Sequence, residues 1–153
     1  MKLRYIFIPL LVFLGLLAVS LALSFVAPWR ESAANIDRVD WLPEYASNVS
    51  YTQTYNSRIF EFDIAEPDFR KWANQYELVE INEPFYIERF NYVDSVGIHG
   101  PQSGLVDPPE FDPETVAIVT DGLQYYSWTD SRGGVAVCFD RKIGRAYFHS
   151  RLR

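Results

Sequence analysis

The longest apolar run of the chain lies at its amino end. Residues 5–27 carry no charged side chain, and a helix of that length, rising about 1.5 Å per residue, is long enough to cross a hydrocarbon core of about 30 Å. The pattern predicts a transmembrane helix over residues 5–27, a cytoplasmic tip at 1–4 and a juxtamembrane spacer at 28–40. Lys2 and Arg4 precede the run, so the positive-inside tendency places the rest of the chain outside the cytoplasm.

A cleaved signal peptide is the alternative interpretation of the same run. Small residues at Ala22 and Ser24 resemble a cleavage site. The apolar run continues past them and is longer than a usual signal core, which favours the anchor. Cleavage would instead release a secreted or periplasmic domain.

Beyond residue 40 the apolar positions follow the periods of strands and of one helix. Phe69, Trp72, Ala73 and Tyr76 recur at helical spacing after Glu66, which predicts a helix packed on a sheet. Alternating or β-branched runs predict the strands, at residues 49–55, 58–64, 85–92, 115–120, 123–129, 134–140 and 145–150. These elements predict one α+β domain over residues 41–153, an antiparallel sheet with one main packed helix. The Pro- and Gly-rich residues 94–114 predict a long irregular loop.

The last hairpin has a register that the sequence itself indicates. A four-residue loop pairs Asp140 with Arg145, and the same register continues to Ala136 opposite His149. Extending it across the preceding turn sets Tyr126 beside Val137.

This register predicts a shallow surface trough on one face of the sheet. Its residues are tyrosines and cations suited to a peptide, a glycan or an anionic group, namely Tyr125, Tyr147, His149, Arg145 and Arg151. The alternative is that the helix or the long loop simply covers this face.

Charge and composition narrow the chemistry. The chain has 20 acidic and 14 basic residues and a net charge of −6, which argues against nucleic acid as a partner. The single cysteine, Cys138, forbids an internal disulfide. No cofactor, metal ligand or catalytic residue is predicted, since the histidines and Cys138 show no zinc-site spacing. The acidic residues of the long loop do not match a calcium loop; they are Asp107, Glu110, Asp112 and Glu114.

Several short segments together resemble one group of proteins. They are Leu42-Pro43-Glu44-Tyr45-Ala46, Phe60-Glu61-Phe62-Asp63-Ile64, Asp68-Phe69-Arg70-Lys71-Trp72-Ala73 and Gly144-Arg145-Ala146-Tyr147-Phe148. The succession is similar to small uncharacterised bacterial membrane-anchored proteins with a Leu-Pro-x-x-Ala opening and a Phe-x-x-Trp/Phe helix. The resemblance implies a bacterial envelope setting and an α+β domain, and it implies no active site.

Two main functions remain open at this point. The first is a non-catalytic, membrane-anchored module that binds a protein or a polymer of the cell envelope. The alternative is a small extracytoplasmic hydrolase that uses the loop carboxylates with His99 or His149. A third possibility is a subunit of a larger complex, which predicts an exposed apolar patch. The sequence does not indicate the oligomeric state.

Overall fold

The computed structural model describes residues 29–91, 113–129 and 132–152. Antiparallel strands make up most of this part of the chain. The strands are β1 (Arg30–Ile36), β2 (Ser47–Thr54), β3 (Ser57–Asp63), β4 (Val79–Glu80), β5 (Phe85–Glu88), β6 (Val116–Val119), β7 (Gly122–Thr129), β8 (Gly133–Asp140) and β9 (Arg145–Leu152), and the helix is α1 (Glu66–Trp72).

Two sheets account for the strands of the described residues. A 7-stranded sheet has the order β1-β2-β3-β9-β8-β7-β4, and β5 pairs with β6 in a 2-stranded sheet. In the 7-stranded sheet the central pairing, β3 with β9, places Phe60 beside Phe148 and Glu61 beside Tyr147. Because side chains alternate between the faces of a strand, the two phenylalanines lie on one face and Glu61 and Tyr147 on the other.

The face with Phe60 and Phe148 packs against α1 and forms the larger core. Phe69 of α1 is fully buried, and its ring stacks on Phe139 with centroids 4.9 Å apart. Ala73 is also buried in this core, while Trp72 and Tyr76 pack against it at partial exposure. The predicted apolar stripe of the helix is therefore confirmed. The aromatic rings of this stripe bury large apolar areas and so stabilise the packing of α1 on the sheet.

The predicted α+β class is wrong, because the described residues are mostly antiparallel strand with one short helix. The helical stripe extends to Tyr76, yet α1 ends at Trp72 and the chain continues as a turn, with the Tyr76 amide donating to the Ala73 carbonyl at 2.9 Å. The second face of the large sheet is covered by the strands β5 and β6. This further layer adds to the strand content of the domain.

The predicted spacer at 28–40 contains a strand. Residues 30–36 form β1, which pairs with β2 through Arg30 opposite Thr54 and Ala33 opposite Tyr51. Most β1 side chains are exposed, because an edge strand packs against few neighbours. Its sequence therefore lacks the apolar alternation that reveals a buried strand.

The membrane predictions are corrected as well. No helix among residues 29–91, 113–129 and 132–152 is long and apolar enough to span a membrane. The span predicted at residues 5–27 lies outside the described residues, as does most of the loop predicted at 94–114. The structure thus gives no support to single-pass anchoring or to the extracytoplasmic location inferred from it.

An ion cluster joins the start of α1 to the turn between β8 and β9. The Glu66 carboxylate accepts from Arg141 Nε at 2.9 Å and from Arg70 Nη2 at 2.7 Å. Arg141 also contacts Asp121 at 2.7 Å and Glu80 at 3.1 Å. Hydrogen bonds first from Arg141 and then from Arg70 lower the pKa of Glu66 to about 2. The cluster therefore stabilises the ionised carboxylate in the folded state.

Replacing Glu66 with Gln tests this cluster. Since the folded pKa is depressed from 4.5 to about 2, the stabilisation is present above pH 4.5 and is lost as pH falls toward 2. We expect E66Q to lower the free energy of unfolding by at most about 1 kcal/mol at pH 7, because solvent screens the pair. The difference from the wild type should shrink at pH 3, as measured by urea unfolding. E44Q, at an exposed residue, is the control, and equal pH dependence in both variants would contradict the assignment.

Candidate functional site

The predicted trough is mostly buried beneath the second sheet. Phe85, Ile87 and Val119 of β5 and β6 pack on Ala136, Cys138 and Tyr147 of the large sheet. Tyr147, His149 and Arg145 are each less than a tenth exposed. These three side chains are therefore buried, as the alternative of a covered face expects.

Tyr125 lies apart from the other predicted trough residues. The last hairpin has the predicted register, with Asp140 opposite Arg145 and Ala136 opposite His149. In the preceding hairpin Tyr125, rather than Tyr126, stands opposite Val137, so Tyr125 points to the α1 face. Its ring lies 5.0 Å from that of Tyr76.

The structure does bring the other four predicted residues to one face. Arg145, Tyr147, His149 and Arg151 alternate along β9, and a spacing of two residues keeps them on the same side of the strand. Arg151 is the most exposed of them, at partial burial.

A buried ion cluster centres on Glu61 on this covered face and also includes Arg145, Arg89 and Asp63, the last two with side chains 31% and 40% exposed. Glu61 is 1% exposed and accepts two bonds from Arg89, Nε to Oε2 at 3.1 Å and Nη2 to Oε1 at 2.9 Å. Arg145 contacts Glu61 at 3.3 Å and Asp63 at 2.5 Å. Two carboxylates thus face two guanidinium groups, and their formal charges balance. The cluster ties β5 to the large sheet, which is a structural role.

Tyr147 and His149 are held in the same covered layer. Burial, and next the charge of Glu61, raise the pKa of Tyr147 to about 12, so its hydroxyl stays protonated at neutral pH. His149 Nδ1 contacts Glu88 Oε2 in the buried layer, and the contact does not have hydrogen-bond geometry. Trp128 lies over the His149 ring at 4.8 Å. Within the described part of the chain, these contacts cover the His149 ring and shield it from a substrate.

The described residues do not assemble the hydrolase of the alternative prediction. His99, Asp107, Glu110 and Asp112 lie outside the described residues, and Glu114 is exposed. Within the part of the chain that the structure describes, no group of three His, Cys, Asp or Glu residues could hold a metal ion. The acidic partner of His149 is Glu88, a strand residue that spacing alone does not single out.

Cys138 is not placed as a nucleophile. It is fully buried and stands opposite Tyr147, one row from His149. Burial raises the pKa of its thiol well above the usual range. The reactive thiolate is therefore scarce and shielded.

A different concavity opens on the α1 face. This aromatic pocket has a volume of about 440 Å³ and is lined by Trp41, Leu42, Gln53, Arg58, Phe60, Trp72, Gln75, Tyr76 and Phe148. Small-molecule sites commonly measure about 300–1,000 Å³ and combine apolar walls with a few polar groups. Both the size and the lining of the aromatic pocket match that description.

Phe60 and Phe148 form the floor of the aromatic pocket. They are cross-strand partners of β3 and β9, and their rings stack with centroids 4.3 Å apart and an interplanar angle of 8°. Both are buried. Sheet pairing therefore fixes a stacked pair of aromatic rings at the base of the pocket.

Two segments distant in sequence form the walls. Trp72, the last residue of α1, lies 6.1 Å from Phe60 and 6.2 Å from Phe148, and Tyr76 follows in the next turn. On the other side Trp41 meets the Phe60 ring edge-on at 5.1 Å. Trp41 belongs to the β1–β2 connection, which turns where the Leu42 amide donates to the Val39 carbonyl at 3.2 Å. The end of α1 and this turn thus stand on either side of the pocket.

Polar groups surround the mouth of the aromatic pocket. Trp41, Arg58 and Gln75 are its exposed lining residues, and Gln53 is partly buried. Gln53 and Arg58 are cross-strand partners of β2 and β3. The side-chain amide of Gln53 donates to Glu31 Oε2 at 3.0 Å. A ligand on the apolar floor would thus meet amide and guanidinium groups at the entrance.

Substitution of Glu61 tests the buried ion cluster. E61Q leaves Arg89 and Arg145 facing a neutral amide, and loss of one partner in a buried ion pair costs about 3–5 kcal/mol. We expect a loss of about 3 kcal/mol in the free energy of unfolding at pH 7 by urea titration. E83Q, at an exposed position, should change it by less than about 0.5 kcal/mol; equal effects would show that the cluster is not stabilising.

Alkylation with iodoacetamide tests the burial of Cys138. Since this is the single cysteine, mass spectrometry reports it without ambiguity. We expect modification at pH 8 to be at least about 100-fold slower in the native protein than in urea. Comparable rates in both states would place the thiol at an accessible position and contradict its burial.

Comparison with known proteins adds no relative from which a function could be transferred. No model of a protein family matches the chain, and no curated protein or solved structure shows significant similarity to it. The resemblance noted in the sequence stays a prediction, and the functional argument stands on the aromatic pocket.

Proposed function

We propose that this protein is a non-catalytic binding module whose ligand inserts an apolar ring into the aromatic pocket. The observation that carries the proposal is the concavity between Trp41 and Trp72, which has the stacked Phe60–Phe148 pair at its base. Flat aromatic surfaces pack favourably against other rings, with a gain of about 0.5–1.5 kcal/mol for each pair beyond the burial of area.

The exposure of Trp41 supports binding over simple packing. Its side chain is 48% exposed although its ring edge reaches the buried Phe60. A ligand on the floor would cover the open face of this indole and remove apolar area from water. Exposed tryptophans beside a concavity are typical anchors of binding sites.

The lining residues support a non-catalytic role. Arg58 and Tyr76 are its titratable members. An arginine keeps its proton at any physiological pH, and burial raises the pKa of Tyr76 from its ordinary value of 10.0. Neither group therefore exchanges a proton readily near pH 7, where general acid–base catalysis requires it.

Titration with N-phenyl-1-naphthylamine tests the proposal. This neutral probe, a naphthalene joined to a phenyl ring through an amine, becomes fluorescent in apolar sites, and we expect one saturable site on the full-length protein. W41A should weaken binding roughly 2- to 12-fold, the range that corresponds to one aromatic contact. Thermal unfolding of each variant verifies that the fold is intact.

W29A is the matched control. Trp29 is 43% exposed and packs on Tyr55 at 5.8 Å, and it does not line the pocket. Its replacement removes an indole of similar exposure at another place, so the affinity for the probe should stay unchanged. Absence of probe binding, or an equal loss in W29A and W41A, would refute the aromatic pocket as the site.

A further inference from the structure

We infer that the aromatic pocket selects a planar organic anion, with the ring on the Phe60–Phe148 floor and the acidic group on Arg58. The inference rests on the proposed function of the pocket and adds the chemical class of its ligand. Three observations carry it. They are the lack of a carboxylate partner for Arg58 among the described residues, the hydrogen bonds that hold the nearest carboxylate in its row, and the position of both groups relative to the floor.

Arg58 is an exposed cation at the mouth that has no carboxylate partner among the described residues. Four other arginines contact carboxylates: Arg70 and Arg141 contact Glu66, and Arg89 and Arg145 contact Glu61. In an acidic chain of net charge −6, a guanidinium left unpaired beside an aromatic pocket is available to a ligand. Its planar fork suits carboxylate and sulfonate groups, which it binds through two parallel hydrogen bonds.

The nearest carboxylate in the same row is already occupied. Glu31, Gln53 and Arg58 are neighbours across β1, β2 and β3. Glu31 accepts from the Tyr51 hydroxyl at 2.6 Å and from the Gln53 amide at 3.0 Å. These bonds, that of Tyr51 first, lower the pKa of Glu31. Glu31 is thus held on β1 by neutral donors, and it does not reach Arg58.

The position of Arg58 fits a ligand that is flat and acidic at one end. Arg58 precedes Phe60 by two residues on β3, so both side chains leave the same face of the sheet. Residues two apart on a strand lie about 6–7 Å from each other. A ring that packs against Phe60 therefore carries a substituent at its edge within reach of the guanidinium, while Gln75 at the mouth offers a further amide.

A matched pair of probes tests the inference. N-phenyl-1-naphthylamine is neutral, and 8-anilinonaphthalene-1-sulfonate has the same rings with one sulfonate. On the full-length protein we expect the sulfonate to bind about tenfold more tightly, the effect of a charge-assisted contact at a partly exposed site. R58Q should bring the two affinities to about the same value and leave that of the neutral probe unchanged.

R30Q is the control for the loss of one positive charge. Arg30 is exposed and adjoins Glu31 on β1, so it points to the opposite face of the sheet. Its replacement should leave the preference for the sulfonate intact, and W41A should weaken the binding of both probes.

The outcomes separate the inference from the function on which it rests. If the neutral probe binds and the sulfonate binds no more tightly, the anion preference is wrong and the aromatic pocket stands. A preference that persists in R58Q, or that R30Q abolishes equally, also overturns the inference. If neither probe binds, both the inference and the proposed function fail.

Discussion

The pairing of β3 with β9 is the constraint on which the rest of the structure depends. It joins strands far apart in the chain and sets Phe60 beside Phe148 and Glu61 beside Tyr147. Because the side-chain period of a strand is two, a slip by one residue would exchange the two faces. Glu61 would then enter the aromatic core, and Phe60 would displace the buried ion cluster. One register therefore positions both the floor of the aromatic pocket and the charges that hold the second sheet.

Turn geometry decided how much of the register of the last two hairpins the sequence could predict. The four residues between Asp140 and Arg145 and their opposite charges indicate the last hairpin, and the structure confirms that pairing. In the preceding hairpin Thr129 pairs with Gly133 instead of Gly134. Gly133 adopts a φ of 78°, and a Cβ there would lie 2.2 Å from the Arg151 carbonyl oxygen. Because both candidate partners of Thr129 are glycines, tertiary contacts decide which of them pairs with it. The one-residue difference moves Tyr125 to the other face.

The pattern of apolar residues could not predict the aromatic pocket, for a different reason. The positions of Phe60 and Trp72 in a strand and a helix followed from their spacing, and both elements are present. Periodicity reports which face a side chain occupies, whereas a concavity depends on where the covering segments stop. Here α1 stops at Trp72 and the β1–β2 connection returns through Trp41, so a concavity remains between them. The covering of the opposite face by β5 and β6 is equally a matter of tertiary packing.

The form of β1 has a consequence for how other molecules can reach this domain. Its pairing with β2 is interrupted between Ala33 and Ile36, where Asn35 adopts a φ of 53° and its amide donates to Ser50 Oγ at 2.9 Å. At the opposite end of the large sheet, β4 has only 2 residues. Irregular or very short margins are poor templates for a continuing ladder of backbone hydrogen bonds. The strands β1 and β4 are therefore poor templates for augmentation by an incoming strand, and a molecule that meets either margin has to bind through side chains.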